Sequence, residues 1–226
     1  MNDRLRKLRK KVWTRFLAIP FILGGMFFLP AGTFRYWQAW VYMVILCVPM
    51  LVAVTILLKR DPGLLERRLQ IREKEKEQKT IIKISYLIFL VIYLLPGFDR
   101  RYGWSSAPAH WVIAADIFVL VGYALCLRVF RENSYASRIV EVKQDQVVIT
   151  TGPYALVRHP MYLAVLIMYS MSPLALGSVW ALISVPFLVA LLVARIRDEE
   201  KLLAAKLEGY RDYMGRVRYR IIPGLW

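Results

Sequence analysis

Cysteine and histidine are almost missing from this chain of 226 residues: there are two of each, Cys47 and Cys126, His110 and His159. Neither cysteine has a CxxC or CxxH context, which leaves a disulfide framework or a zinc site without support. Two histidines are too few for a His-rich metal or haem centre. No GxGxxG follows a strand-like run, no GxxxxGKS/T occurs, and no repeat of fixed period is visible, so the familiar soluble nucleotide folds are absent. Acidic residues are also scarce, 16 Asp+Glu against 32 Lys+Arg. The composition is 58% hydrophobic with mean hydropathy +0.44, so apolar and basic residues must be segregated along the sequence. That excludes a disordered tail protein and argues against an ordinary soluble domain, whose core cannot hide so many long apolar runs.

The segregation predicts membrane spans. Residues 12–30 hold Arg15 as their only charge, and residues 36–58 hold none over 23 positions, enough at 1.5 Å per residue to cross a hydrocarbon layer of about 30 Å. Residues 81–97 are apolar apart from Lys83, and 109–130 apart from Asp116 and Arg128. Residues 161–194 are free of charge for 34 positions, too long for one span and interrupted by Pro173 and Gly177. They read as a tight helical hairpin with a short first arm, 161–172. The expected fold is therefore an all-α integral membrane protein of five to six transmembrane helices, multi-pass, ending in that hairpin. Two regions are expected: 1–108, the N-terminal helices with a charged loop, and 109–226, which carries the chemistry.

Basic residues orient the chain. With a cytoplasmic N-terminus kept as an uncleaved anchor, only Arg35, Arg100 and Arg101 lie outside, leaving 29 of 32 Lys+Arg inside, with both termini cytoplasmic. The net charge of +16 then reflects topology and contact with anionic membrane lipids rather than nucleic-acid binding.

Three cytoplasmic segments remain for chemistry. Residues 59–80, KRDPGLLERRLQIREKEKEQKT, have mixed charge at helical spacing and read as a solvated or interfacial helix rather than a site. In residues 131–160, positions 138–149 have a β-like character and Thr151-Gly152-Pro153 signals a turn. Arg158-His159-Pro160 follows where a loop meets a membrane helix, with Pro160 at the first helical position. Residues 195–226 read as an amphipathic helix with a Pro-Gly stop. Arg195 and Glu199 are four apart on one helix face, and the hairpin returns them to the membrane face that carries His159. A carboxylate for a cation and a guanidinium for an anion thus meet a cluster of turn formers, donors and aromatic faces fit to wall a polar, planar ligand.

The run TGPYALVRHPMY (151–162), the apolar hairpin, RxxxEExxL (195–203), GYRDYMGRV (209–217) and the closing Ile222-Pro223 together resemble the isoprenylcysteine carboxyl methyltransferase family and its bacterial relatives. Phospholipid N-methyltransferases share much of the pattern, and the resemblance covers about residues 132–226. It implies a membrane enzyme that uses S-adenosylmethionine, bound between the cytoplasmic ends of the last helices and the C-terminal tail. By that resemblance Tyr154, Arg158, His159, Pro160, Tyr162 and Leu163 line the cofactor pocket, and Glu199 or Glu200 lies near the cofactor's charged groups. Arg195 faces the substrate, with Glu199 as a candidate base if the acceptor must lose a proton. Where eukaryotic members carry a histidine shortly before the Gly-x-Tyr turn, this chain has Gln144 and Gln146, and Gln146 is the expected substitute. The implied partner is a lipophilic or prenylated acceptor entering sideways from the bilayer.

Two other classes have sequence support. The ending VRYRIIPGLW and an Arg-His turn resemble NADPH-dependent membrane sterol reductases, although these typically lack a proline directly after the histidine. Asp116 and Arg128 on one span could be transport-pathway residues. Arg128 is near enough to the cytoplasmic end to snorkel, which leaves Asp116 as the unexplained charge.

Overall fold

The computed structural model describes residues 2–69, 76–136, 142 and 145–226. Among the described residues eight α-helices follow one another: α1 (Asn2–Ala31), α2 (Trp37–Arg60), α3 (Pro62–Arg68), α4 (Lys76–Tyr102), α5 (Ala109–Glu132), α6 (Pro160–Ala175), α7 (Ser184–Lys206) and α8 (Tyr210–Arg216). Within the described residues five stretches are long and apolar enough to cross a membrane: Leu5–Ala31, Trp37–Arg60, Ile82–Tyr102, Ala109–Glu132 and Trp180–Lys206. The protein is an integral, multi-pass helical membrane protein. With 16 residues, α6 reaches only about 24 Å. It is the short arm of the hairpin, and it runs past Pro173 to Ala175 although that proline has no N–H to give the helical ladder.

Among the described residues there is no strand, and 145–150 are irregular. The β-like reading of 138–149 is not realised over 145–149: among the described residues no second strand satisfies a ladder. Residues 137–141, 143 and 144, Gln144 included, lie outside the described residues.

Packing places both regions of the chain around one centre. Helix α6 lies closely on α5, where a Cβ on Gly122 would collide with the Met168 side chain and sit 3.1 Å from the Ala164 carbonyl. Helix α4 packs on α1, α6 and α7. Between α4, α6 and α7 an apolar cluster forms from Ile88, Ile92, Leu188, Leu191 and Leu192. At the end of the bundle away from most basic residues, buried Asp99 accepts hydrogen bonds from the Ser105 amide (2.6 Å), the Ser105 hydroxyl (2.5 Å) and the Ser178 hydroxyl. This latch ties the α4–α5 loop to the hairpin turn.

Helix α3 lies in the segment 59–80 read as a solvated or interfacial helix, and its leucines face the bundle. Asp61 ends α2 and caps α3, its Oδ1 accepting the Leu64 amide at 2.8 Å, with Pro62 opening the helix. Leu64 and Leu65 are buried against Leu8, Val12 and Leu57. The Leu-Leu pair has an apolar surface to cover, so α3 folds onto the base of α1 and α2 instead of projecting into water.

Candidate active site

Arg158 and His159 arrive at the site through a tight local path. Gly152 has φ +56°, and a Cβ there would meet the Glu132 side chain at 2.7 Å, so the turn leading into the segment requires glycine. A short 3₁₀ turn, Gly152–Ala155, follows, and His159 is the residue immediately before Pro160 opens α6. The tail returns alongside: the Arg158 amide donates to the Tyr219 carbonyl at 2.9 Å and the His159 amide to the Arg220 carbonyl at 2.8 Å.

Beneath that pairing lies a buried knot. Arg158 Nε donates to Glu200 Oε1 at 2.6 Å, while its Nη1 donates to the Val217 and Arg218 carbonyls, both at 2.8 Å. His159 Nε2 lies 3.2 Å from Glu200 Oε1, and Arg220 Nε donates to Glu200 Oε2 at 2.8 Å. One carboxylate thus joins α7, the start of α6 and the tail. Its burial is tolerable because cationic partners surround it. Glu200, expected near the cofactor's charges, is directed into this knot and is not in the chamber wall.

Above the knot opens a chamber of about 720 Å³. The sequence-expected residues Gln146, Tyr154, Arg158, His159, Tyr162, Arg195 and Glu199 all line it. Pro160 is buried as the first residue of α6, and neither it nor Leu163 is part of the wall. Three side chains form a relay: Arg195 Nε donates to Tyr162 Oη at 2.9 Å, and that hydroxyl donates to Glu199 Oε2. Leu188, Leu192, Arg195 and Glu199 lie on one face of α7 at helical spacing. Together with Val165 and Tyr169 of α6 and Phe89 of α4, the leucines make an apolar arm running from the polar head to the depth of the spans.

The head is aromatic and wired. Asn133 donates to Tyr154 Oη at 2.8 Å, and Tyr213 donates to the Tyr154 carbonyl at 2.7 Å. Burial pushes the Tyr154 phenol up to about 12, against the opposing hydrogen bond from Asn133, so it stays neutral near pH 7. Tyr210 and Tyr213 of α8 complete the wall with Asn133 and Arg68, residues the motifs did not single out. The tyrosines lie in the recognised GYRDYMGRV run, so their spacing was a signal. Arg68 is separated from every motif by sequence and had none.

Fold and site together define a polytopic membrane protein with a polar, aromatic head chamber joined to a lipid-depth apolar arm. Residues 111–205 match the model of the isoprenylcysteine carboxyl methyltransferase (ICMT) family, which bears out the resemblance read from the RHP turn and the RxxxEExxL run. Over those residues the chain is similar to a family of carboxyl methyltransferases. The match takes in most of α5 and ends before α8, so the tail that walls the chamber lies beyond it. No curated protein matches the chain.

Proposed function

We infer that the protein transfers a methyl group from S-adenosylmethionine to the carboxylate of a lipophilic acceptor at the cytoplasmic face of the membrane. The observation that carries this reading is one cavity in which the Arg195–Tyr162–Glu199 relay stands where the polar head meets the apolar arm. The residues present fit such a donor: Glu199 offers a carboxylate to its cationic groups, and the Tyr154, Tyr210 and Gln146 side chains offer faces and an amide to its adenosine. When bound, S-adenosylmethionine supplies an electrophilic methyl carbon on a sulfonium.

The chain's own groups then have to position. Arg195 orients the acceptor carboxylate as a fork-shaped donor, and Tyr162 holds the guanidinium in place. A carboxylate is already ionised near pH 7, so no general base is needed. Its charge and that of the sulfonium cancel on transfer, a change favoured in a chamber shielded from water. An amine or thiol acceptor would instead release a proton, for which Glu199, held by Tyr162, is the acceptor within the relay.

The test is incubation of the protein in lipid extract with isotopically labelled methyl donor, followed by mass spectrometry. A labelled product that loses its methyl group as methanol in mild base supports carboxyl methylation. A base-stable label identifies an amine or thiol acceptor, and turnover that requires NADPH with no label transferred removes the methyltransferase reading. The orientation is checked separately by tryptic access to the 216–220 tail in sealed right-side-out vesicles, where protection is expected.

A further inference from the structure

The chamber has a corner built by the first half of the chain, outside the matched residues. Arg68, the last residue of α3, lines the chamber. Its Nη1 donates to the Ala136 carbonyl at 2.9 Å, and its guanidinium carbon lies 4.5 Å over the Phe130 ring. Stacking and a carbonyl anchor fix the plane of a guanidinium that a lysine ammonium could not reproduce. The neighbouring Arg67 donates to the Ser134 carbonyl, so α3 grips the turn after α5 at two points. From that same turn Asn133 reaches Tyr154, whose phenol senses the charges of both Arg68 and Glu199.

Charge matching assigns this corner a ligand group. S-adenosylmethionine carries a sulfonium, an ammonium and a carboxylate, and the acceptor brings a second carboxylate. Among the arginines of the wall, Arg158 is committed to Glu200 and to two tail carbonyls. Arg195 stands on the α7 face that continues into the apolar arm, so it is the first cation an acceptor from the bilayer meets. Arg68, on α3 and stacked over Phe130 near the end of α5, lines the head close enough to Tyr154 to act on its phenol. We propose that Arg68 binds the amino-acid carboxylate of the methyl donor, which makes the N-terminal half of the chain part of the cofactor site. This assignment rests on the methyltransferase reading above.

Calorimetry on the full-length protein in detergent tests it with two probes. S-adenosylhomocysteine retains the amino-acid end, and 5′-methylthioadenosine keeps the nucleoside and sulfur but lacks it. Arg68→Gln is expected to weaken S-adenosylhomocysteine about 10- to 100-fold, the range for a lost charged hydrogen bond, while leaving 5′-methylthioadenosine unchanged. Arg68→Lys, the milder change if the glutamine variant does not fold, is expected to lose several-fold on the first probe only. Equal losses on both probes, or none on either, overturn the assignment of Arg68. A wild-type protein that binds neither probe overturns the methyltransferase reading, and the assignment with it.

Discussion

Replacing Arg158 by methionine is expected to loosen the C-terminal tail without unfolding the helices. The side chain is 5% exposed and bridges α7 to the tail, with Nε on Glu200 and Nη1 shared between the Val217 and Arg218 carbonyls. Methionine keeps the apolar stem and removes the donors, so the change isolates the hydrogen bonds from the packing. A hydrogen bond from a charged group contributes about 1.5–3 kcal/mol net. Two acceptors sharing one nitrogen place the loss for the tail near 3 kcal/mol, or about a hundredfold in its opening equilibrium. The backbone bonds from Arg158 and His159 to Tyr219 and Arg220 remain, which keeps the tail docked most of the time. Arg216 and Arg218 are exposed, so tryptic cleavage after them reports opening. Where reclosing is faster than cleavage, the rate follows the open population, and a rise of about a hundredfold is expected. Arg158→Lys, whose ammonium lacks the fork needed to serve Glu200 and both carbonyls together, is expected to fall between. Cleavage at the wild-type rate in a variant of unchanged helicity refutes the idea that this knot holds the tail.

Four further substitutions test separate parts of the structure. Arg195→Ala and Tyr162→Phe are expected to lower turnover by about a hundredfold with a much smaller change in S-adenosylhomocysteine affinity; equal losses in both quantities would mean that the relay supports the donor site instead of the acceptor. Gly122→Val is expected to destabilise by about 1–3 kcal/mol through overpacking against Met168 and the Ala164 carbonyl, read as a lower Tm, and an unchanged Tm would contradict the close α5–α6 approach. Asp116 is buried on α5 and, among the described residues, its Oδ1 has no hydrogen-bond partner, so Asp116→Asn is expected to raise Tm while keeping turnover, because the amide is less costly to bury than a carboxylate. Loss of turnover in a folded Asp116→Asn protein would instead give this carboxylate a functional role.

The spans and the short hairpin were legible in the order of residues, because a charge-free run of sufficient length has few stable environments other than lipid. Tyr154, Arg158, His159, Tyr162, Arg195 and Glu199 were legible through motif order and helical spacing, which depend on local geometry. Tertiary packing alone decided which of them face the chamber. Glu199 and Glu200 are adjacent on one helix, yet about 100° of helical rotation sends one to Tyr162 and the other into the buried knot. It also decided that the segment holding Gln146 lies as irregular wall rather than strand, and that Arg68, some ninety positions from the RHP turn, shares its cavity. Hydrophobic runs and i,i+4 spacing are local properties, recorded in sequence. The meeting of α3 with the end of α5 depends on how Leu64 and Leu65 bury against α1 and α2, and only the folded chain expresses that contact.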